Sequence, residues 1–465
     1  MDLNEIRARI LKDQILSKLS NLAKEKKVPL FLVGGYVRDL FLGTLQQVGK
    51  DYDFTLSKGN APFISLIEQA LQLRFFKVGK EEIDTITYRI IKEDMSIDLT
   101  FLQGDGIEED LKRRDFTINA IAFSLRDETF HGVGGALEDI EKRVIRTVSN
   151  HSIDQDPLRM LRAIRYLCTL DGFITEETLK EEISQKKELT RKLPGERIKV
   201  ELDHILLSPQ PALGMRSLYE VGLLLTLFPE LAGLESLVQN EHHHLNVLPH
   251  ILLMVEKISW AFQWMALHGK EISVSREDRL SLYYAALFHD LGKQDTYSRD
   301  EKGRVHFYHH ESFSCQAAGG IMERLRFSNA MRNKILRLIQ HHMRILNLSR
   351  ETKEVALKRL VSHLAEETPL LILLTLADKE ASRGILSIRI DEVVEGHCLR
   401  ILHLFNEKES VRPLPLITGY DVMALGYSSG PKVGRILNFV REKQIEGEIK
   451  TREEALQILR ERFGN

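Results

Sequence analysis

The sequence predicts an α+β protein in which a small α/β head precedes a remainder that is mostly helical. An apolar run at residues 30–33 indicates a buried strand, and a glycine pair separates it from a helical pattern at 37–42. Short strand-like segments follow at 75–78, 85–91 and 96–102. From Ile153 onward the pattern is helical almost throughout, so the predicted strands belong to the head.

The composition is ordinary for a globular protein and argues against several classes. Of the 465 residues, 43% are hydrophobic and 28% are charged, with a formal net charge of −2. The three cysteines lie far apart without a C-x-x-C pair, which argues against a disulfide framework or a thiolate zinc site. No apolar run reaches the ~20 residues that span a bilayer, and the start is not a signal peptide, so we expect a cytoplasmic protein without a membrane partner. The net charge argues against an indiscriminate polyanion binder, although a local basic stripe could still hold RNA.

The first element, residues 1 to about 28, is predicted to be one amphipathic helix that covers the sheet. Its apolar residues recur at broadly helical spacing. They are Ile6, Ile10, Ile15, Leu16, Leu19 and Leu22.

The stretch after the first strand combines a phosphate-binding turn with a pair of carboxylates. Gly34 and Gly35 have no Cβ, so the backbone there can approach a phosphate, and the next helix start together with Arg38 favours an anion. Asp51 and Asp53 lie one residue apart, so in a strand both carboxylates share a face and can hold one or two Mg²⁺ ions. Either half alone also fits a strand, a glycine turn and a surface aspartate pair. Together they favour a metal-dependent phosphate-transfer site.

With its opening G-G-Y-V-R-D, this stretch resembles the nucleotidyltransferase superfamily and, within it, the bacterial tRNA nucleotidyltransferases and poly(A) polymerases. The resemblance implies that the two aspartates bind catalytic Mg²⁺. The segment R-R-D-F-T-I-N-A resembles the family motif R-R-D-F-T-x-N-A, which implies that Arg114 and Asn119 hold the triphosphate and that Asp115 contacts the ribose. Guanidinium and carboxylate groups suit these two tasks. Asp98, in a predicted strand, fits either a third carboxylate at the metal site or a solvated surface residue.

A third segment, D-P-L-R-M-L-R, begins the helical region. Asp156 and Arg159 are three residues apart, so we expect them on one helical face, with Pro157 in the first turn. A solvated ion pair would explain this spacing equally well. The segment resembles the family's E-D-x-x-R motif, which implies that Asp156 and Arg159 read the base of the incoming nucleotide and that Arg162 belongs to the same nucleotide site. Gln155 replaces the usual Glu of the motif.

A second group of polar residues is spread over the later helical segments. Its order of His, His-Asp, His, His-His and Asp suits a divalent metal, because a hydrolytic metal site needs several imidazole and carboxylate ligands. The pattern resembles the HD phosphohydrolase superfamily, which implies a transition-metal or Mg²⁺ site with the ligands His250, His289, Asp290 and Asp378. His310 and one of His341 and His342 would serve a second metal, and Lys293 could contact a substrate phosphate.

These patterns predict four regions. Residues 1–145 form a nucleotidyltransferase head, 146–238 a helical neck and body that bind nucleotide and RNA, 239–400 an HD domain, and 401–465 a helical tail that binds RNA, in which Lys432 could touch a phosphate. The resemblance implies Mg²⁺-dependent transfer of CMP and/or AMP from CTP and ATP to the 3′ end of tRNA, with a possible second HD activity. No DNA partner is expected.

Several alternatives stay open on the sequence. The protein could add only CC or only A, because the segment between Asp98 and Arg113 is short where complete CCA-adding relatives often carry a longer loop. It could also be a poly(A) polymerase, chiefly an HD phosphohydrolase, or an RNA-binding module with an inactive head. Intact Asp51 and Asp53 argue against the inactive module, and the set from Arg114 to Arg159 argues against hydrolysis alone.

Overall fold

The computed structural model describes residues 2–44, 50–79, 86–92, 95–239, 245–382, 388–407 and 414–463. The chain divides into two compact units, Met1–Leu227 and Phe228–Asn465. A β-sheet lies in the first unit and the second unit is mainly helical, which confirms the predicted α+β class.

The first unit contains nine strands and twelve α-helices among the residues described. The strands are β1 Leu30–Val33, β2 Lys50–Leu56, β3 Phe76–Val78, β4 Thr87–Lys92, β5 Met95–Phe101, β6 Ile121–Ser124, β7 Thr129–Gly132, β8 Val144–Ile145 and β9 Ile174–Thr175. The helices are α1 Leu3–Lys12, α2 Gln14–Lys26, α3 Gly35–Leu42, α4 Phe63–Leu71, α5 Ile107–Lys112, α6 Ala136–Lys142, α7 Ser152–Gln155, α8 Arg159–Thr169, α9 Glu177–Lys186, α10 Gly195–Leu206, α11 Pro211–Glu220 and α12 Leu223–Leu227. Short 3-10 turns cover Lys58–Asn60, Thr117–Asn119 and Lys187–Lys192.

Seven of these strands form one sheet in the order β3-β4-β5-β2-β1-β6-β7. Strands β2 and β5 are parallel, and the other neighbours are antiparallel. All four residues of β1 are buried, as expected for a central strand with a continuous apolar run. The predicted strands at 75–78 and 96–102 are confirmed, and the described part of 85–91 is β4, whereas residue 85 lies outside the described residues.

The predicted single N-terminal helix is wrong, because two helices meet at Asp13. Asp13 adopts an extended conformation (φ −68°, ψ 128°), and its carboxylate accepts hydrogen bonds from the backbone N–H groups of Ile15 and Leu16. An aspartate in this position caps the following helix and ends the preceding one. The apolar spacing is kept in both helices, since Ile6, Ile10, Leu16 and Leu19 are buried.

Among the residues described, the second unit contains nine α-helices before its tail. It also contains a small hairpin, β10 Tyr297–Arg299 with β11 Val305–Phe307. The helices are α13 Val247–Leu267, α14 Arg276–Phe288, α15 Lys293–Thr296, α16 His310–Arg324, α17 Asn329–His341, α18 Met343–Leu346, α19 Glu354–Leu364, α20 Thr368–Ala381 and α21 Ile388–Asn406. Two 3-10 turns cover Pro229–Leu234 and Ala365–Glu367. The stretch Glu354–Ala381 is long and apolar enough to cross a membrane by length and composition, but 67% of its most apolar window is buried inside the protein. Its apolar character is explained by the protein core, because every residue of α20 except Pro369 is buried.

The tail has a small core of its own. Its helices are Gly419–Met423, Pro431–Ile445 and Arg452–Phe463. Buried apolar side chains from all three segments pack together, among them Val422, Ile436 and Leu459.

Candidate functional site

Two adjacent parallel strands carry the carboxylates of the head. The register places Asp51 opposite Ser96 and Asp53 opposite Asp98. Ser96 Oγ donates a hydrogen bond to Asp51 Oδ1 at 2.6 Å, which fixes the orientation of that carboxylate. Because side chains alternate along a strand, Asp51 and Asp53 lie on one face of the sheet. The arrangement gives hard oxygen ligands of the kind that Mg²⁺ prefers.

Asp98 is already engaged by an arginine of the neighbouring strand. Arg89 Nε and Nη2 donate to the two oxygens of Asp98 at 2.7 and 2.5 Å. This bidentate pair compensates one of the three neighbouring negative charges. Arg89 was not singled out from the sequence, although its place on a strand beside Asp98 follows once the register is known.

Gly34 lies against the second aspartate and against Arg114. Its backbone has φ +76°, and an added Cβ would lie 3.1 Å from Asp53 Oδ2 and 3.4 Å from Arg114 Nη1. Glycine is required here both by the left-handed conformation and by this close approach. Helix α3 begins at the next residue, so its first backbone N–H groups are available for an anion. The structure thus brings the predicted phosphate turn, a carboxylate and an arginine to one place.

The pKa of Asp53 is raised to about 6, chiefly because burial disfavours its charged form. The negative charges of Asp98 and Asp51 raise it further, whereas Arg114 opposes the shift. A divalent cation would favour the ionised carboxylate, so proton and metal compete for this group.

This shift predicts that Asp53→Asn stabilises the metal-free protein at neutral pH. The folded-state pKa of about 6 lies above the reference value of 3.8, so the folded protein holds the proton more tightly. The wild-type protein therefore loses free energy of unfolding as Asp53 ionises. This loss is absent below pH ~4, grows as the pH rises towards 6, and amounts to about 1–3 kcal/mol at higher pH. Urea unfolding in chelator at pH 4 and pH 7.5 should show a gain for the variant only at the higher pH. Asp51→Asn, at an exposed position, is the control and should change little.

A chain of hydrogen bonds joins the predicted nucleotide-binding residues of three segments. Arg38 Nη1 donates to Asn119 Oδ1 at 2.7 Å, and Asn119 Nδ2 donates to Asp115 Oδ1 at 3.0 Å. Arg162 Nε and Nη2 donate to Asp115 Oδ2 at 2.9 and 2.5 Å. Burial would raise the pKa of Asp115, but the charge of Arg162 and the hydrogen bond from Asn119 outweigh it and lower that pKa. Asp115 therefore orients Arg162 and Asn119 in this arrangement, and its contact with a ribose remains a prediction.

Tyr166, which the sequence did not single out, lies among these cations. The guanidinium carbons of Arg38, Arg162 and Arg165 are 5.3, 5.8 and 4.7 Å from the centre of its ring. Such contacts are attractive and keep guanidinium groups in place. Its position four residues after Arg162 in α8 is the sequence signal that could have found it.

The expectation that Asp156 and Arg159 share a helical face is wrong. Asp156 lies between α7 and α8 in extended conformation (φ −147°, ψ 100°), and Pro157 lies in the turn before α8. A proline disfavours helical geometry in the residue before it, which explains the break. Asp156 Oδ2 accepts from Arg197 Nη2 at 2.8 Å, whereas Arg159 donates to the carbonyl oxygen of Arg113 at 2.6 Å. The two side chains thus have separate partners.

In the second unit, the predicted HD residues come together in a buried cluster. His250 Nε2 is 3.3 Å from Asp378 Oδ1 and 3.8 Å from Asp290 Oδ2, which lies 3.1 Å from His289 Nε2. Two groups of three residues could each hold a metal ion, because the three ligand atoms within a group lie within 4.8 Å of one another. The first group is His250, His289 and Asp378, and the second is His289, Asp290 and His342. Neutral imidazoles and carboxylates in this number fit a divalent metal ion.

Three of the imidazoles are held in the tautomer that binds a metal through Nε2. The Nδ1 atoms of His289, His310 and His342 lie 2.9, 2.9 and 2.6 Å from the backbone carbonyls of Ala286, Phe307 and Ile339. A carbonyl oxygen only accepts, so each Nδ1 carries the hydrogen and each neutral ring presents a lone pair at Nε2. This orientation by backbone carbonyls is typical of metal-binding histidines.

The lone pairs of two rings face each other. His310 Nε2 is 3.1 Å from His342 Nε2 and 3.3 Å from Asp290 Oδ1. Two acceptor nitrogens at this distance repel each other unless a cation lies between or beside them. The pKa of His342 is lowered to about 3 by burial and by the neighbouring histidines, so a proton is a poor cation for this position. A metal ion would suit this position better, with His310, His342 and Asp290 as residues that could hold it.

Of the two adjacent histidines that the sequence left open, the structure places only His342 in this cluster. His341 Nε2 instead lies 3.2 Å from His363 Nε2. Lys293 Nζ is 2.7 Å from Asp290 Oδ2 and donates to Gln239 Oε1 at 2.6 Å, so it is held at the edge of the cluster. The histidines at 242–244, which precede this group in the sequence, lie outside the described residues.

Comparisons with known proteins show which families and folds the chain resembles. Family models match the poly(A) polymerase head domain at residues 30–146, a probable RNA and SrmB binding site of polymerase A at 172–234, and the HD domain at 241–382. The chain is 33% identical to the CC-adding tRNA nucleotidyltransferase of Thermus thermophilus over 92% of each chain. It is 32% identical to the A-adding tRNA nucleotidyltransferase of Deinococcus radiodurans over 91% of this chain and 93% of the relative.

Solved structures show the same fold. A CCA-adding enzyme without ligand matches with a TM-score of 0.66 at 22% identity over 99% of this chain and 97% of that chain. The Thermotoga maritima CCA-adding enzyme complexed with tRNA matches with a TM-score of 0.62 at 22% identity over 98% and 97%.

Proposed function

The chain belongs to the tRNA nucleotidyltransferase family, and from that premise we propose that it transfers CMP and/or AMP from CTP and ATP to the 3′ end of tRNA in the cytoplasm. The observation that supports the proposal most strongly is that Gly34 lies against Asp53 and Arg114 in the head. Asp51 lies on the same face of β2 as Asp53. A phosphate turn, metal-binding carboxylates and a guanidinium at one place are the parts that phosphoryl transfer needs.

Each group has a task that follows from its chemistry. Asp51 and Asp53 would hold Mg²⁺, which supplies charge stabilisation and activation of the 3′ hydroxyl when it is bound. Arg114 and the first N–H groups of α3 bind phosphate oxygens of the triphosphate, and Gly34 leaves room for them. The buried chain from Arg38 to Arg162 holds the cations of the site in one geometry, which reduces the reorganisation needed during transfer.

The nucleotide repertoire is tested by one product gel. Transcripts of tRNA that end before CC, after CC and after CCA are incubated with CTP, ATP or both. A CC-adding enzyme extends only the first by two residues, an A-adding enzyme extends only the second by one, and a complete enzyme extends both. Repeated addition of A to all three indicates a poly(A) polymerase. The relatives include both a CC-adding and an A-adding enzyme, so addition of CC alone and addition of A alone are the main alternatives to complete CCA addition.

Asp156→Ala or Arg159→Ala is expected to relax base choice by about tenfold or more, because a hydrogen bond to a charged group contributes ~1.5–3 kcal/mol. The ratio of kcat/KM for the preferred nucleotide to that for UTP or GTP measures this effect. The KM for the triphosphate should change less than this ratio, and Arg191→Ala, an exposed arginine paired with Glu188, is the control. A sharp rise in KM with unchanged discrimination would make these two residues phosphate-binding or structural groups.

We also propose that the tail contributes to RNA binding through an arginine-lined cavity of the second unit. The cavity, about 610 Å³ in volume, lies between α18, α19 and the tail helix Pro431–Ile445, and Arg344, Arg359 and Arg441 line it. Arg359 pairs with Glu446, whereas Arg344 and Arg441 have no carboxylate partner within the described part of the chain. Unpaired guanidinium groups on facing helices suit phosphates of an RNA backbone.

Arg441→Glu should therefore raise the KM for tRNA about tenfold at 0.15 M salt and leave the KM for CTP unchanged, since the loss of phosphate contacts weakens RNA binding and its salt dependence. Arg435 lies on the same helix but does not line the cavity, so Arg435→Glu serves as the charge-matched control. Equal effects of both variants would show that only the overall charge of the tail matters.

A second function is favoured by the opposed lone pairs of His310 and His342. We propose that the buried cluster binds one or two divalent ions, either a transition metal or Mg²⁺, and hydrolyses phosphoesters. Lys293, whose Nζ lies 2.7 Å from Asp290 Oδ2, would contact a substrate phosphate there.

A further inference from the structure

Asp13, at the break between α1 and α2, contacts two other elements of the head. Asp13 caps α2 with Oδ1, which accepts from the N–H groups of Ile15 at 3.0 Å and Leu16 at 3.2 Å. Its second oxygen, Oδ2, is left for other partners. The side chain is only 7% exposed, so those partners decide whether a charge can remain there.

The second oxygen is the meeting point of three donors from two other elements. Oδ2 accepts from Lys50 Nζ at 2.6 Å and from the hydroxyl of Tyr52 at 2.9 Å, both on β2. The hydroxyl of Tyr36, on α3, lies 3.4 Å away. The rings of Tyr36 and Tyr52 stack with their centres 4.9 Å apart, and both are buried.

These two elements are the ones that carry the reacting parts of the head. Tyr52 lies between Asp51 and Asp53, and alternation along β2 turns it to the opposite face of the sheet. Tyr36 follows Gly34 and Gly35 directly. One carboxylate thus holds, from behind, both the strand with the metal-binding aspartates and the helix that starts at the phosphate turn.

The charges agree with this role. Burial would raise the pKa of Asp13, but Lys50, the N–H of Leu16 and the hydroxyl of Tyr52 outweigh it and lower that pKa. Burial and the charge of Asp13 raise the pKa of both tyrosines, which therefore remain protonated donors. A charged acceptor with this many donors is stronger than a neutral one and harder to replace.

We propose that Asp13 is a positioning residue for nucleotide transfer, which fixes β2 against α3 and thereby sets the spacing between the metal-binding carboxylates and the phosphate turn. The inference rests on the proposed function of the head. It assigns a role in the reaction to an N-terminal element that lies outside the residues assigned above to the nucleotide site. A shift of about 1 Å between these elements is enough to lower a rate by about 100-fold.

The test is Asp13→Asn, which keeps the size and a capping oxygen but turns an amide towards the donors of Lys50 and Tyr52. We expect the Mg²⁺ concentration for half-maximal activity to rise about tenfold and kcat to fall about tenfold or more, with the KM for tRNA unchanged. Tyr52→Phe removes one of the hydrogen bonds and should give a smaller change of the same kind. Asp13→Glu keeps the charge and should recover part of both losses.

Ser20→Ala is the matched control. Ser20 is buried on α2 and donates to the carbonyl oxygen of Leu125 at 2.8 Å, so its loss loosens the same helix without touching β2 or α3. It should leave the Mg²⁺ dependence and kcat within about twofold of the wild type. Equal changes in Ser20→Ala and Asp13→Asn would reduce Asp13 to a residue that only stabilises the fold and would overturn the proposal.

Binding of Mn²⁺ in the absence of tRNA, followed by electron paramagnetic resonance in proteins that all carry His289→Ala to remove the second-unit cluster, separates this proposal from the proposed function. If the wild type transfers no nucleotide, the proposed function fails, and weaker Mn²⁺ binding in Asp13→Asn still supports the positioning role. Unchanged binding in both Asp13→Asn and Tyr52→Phe overturns it. If Asp13→Asn does not fold, Tyr52→Phe decides, and wild-type Mn²⁺ binding and turnover in that variant reject the proposal.

Discussion

Replacement of either Asp51 or Asp53 by alanine is expected to lower the rate of nucleotide addition by about 1,000-fold or more while the protein stays folded. The two carboxylates face the same side of β2, and Asp53 lies beside the phosphate turn, so both are expected to hold the metal. A metal that polarises phosphoryl oxygens contributes several kcal/mol to the transition state, and each 1.36 kcal/mol is a factor of ten in rate. Neither substitution empties a packed apolar core.

The measurement is incorporation of labelled CMP or AMP into a tRNA transcript under single-turnover conditions, with Mg²⁺ varied up to tens of millimolar. Asp171→Ala, an exposed aspartate in a turn, controls for the loss of one negative charge. Circular dichroism and thermal unfolding establish that the variants are folded. Near-normal turnover of both Asp51→Ala and Asp53→Ala would remove the head site from the reaction.

Much of this site could be predicted because its parts lie close together in the sequence. The strand, the glycine pair and the two aspartates fall within 24 residues, and period-two alternation is enough to place both carboxylates on one face. Alternation does not show which strand lies beside β2. Ser96 and Asp98 reach Asp51 and Asp53 through a parallel pairing with a crossover, and Arg89 comes from a third strand. Such partners depend on register, which a single sequence leaves open.

The errors have a common physical origin in backbone breaks. Residues 1–28 have continuous helical periodicity, yet Asp13 ends one helix and caps the next, because its side chain competes for backbone N–H groups. Asp156 has helical spacing to Arg159, yet Pro157 forces it out of the helix. In both cases the apolar pattern was correct and a single residue changed the geometry. Both breaks also lie at positions to which we assign a part in the reaction, which is where local rules are often overridden.

The choice between His341 and His342 shows a different limit. Adjacent residues at the end of α17 point in different directions, and a turn of about 100° per residue sends one into the cluster and the other to His363. Sequence gives the residue types and their order but not this rotation. Variants of the two residues therefore make a matched pair, because His341 and His342 are adjacent in the chain but only His342 belongs to the buried histidine cluster.

His289→Ala and His342→Ala are expected to lower metal-dependent phosphoester hydrolysis by about 100-fold or more, whereas His341→Ala and Asp51→Ala leave it nearly unchanged. The reason is that Nε2 of His289 and of His342 each belongs to a group of converging ligand atoms, whereas His341 lies outside both groups. The assay uses a 2′,3′-cyclic nucleotide and a nucleoside monophosphate with Mg²⁺, Mn²⁺, Co²⁺ or Ni²⁺. Nucleotide addition measured on the same preparations should show the reverse pattern, with loss only in Asp51→Ala.

The pH dependence of this hydrolysis follows from the competition between protons and metal. Burial would lower the pKa of His289, but Asp290 and Asp378 stabilise its charged form and raise that pKa above the ordinary value of 6.5. Protons therefore compete with a metal for His289 as the pH falls, and a protonated imidazole cannot bind a metal, so activity should decline with falling pH and recover with excess metal. A decline that added metal does not reverse would point to a titrating group outside the metal ligands. Absence of hydrolysis with every metal and substrate would leave these buried side chains as a structural or RNA-holding cluster.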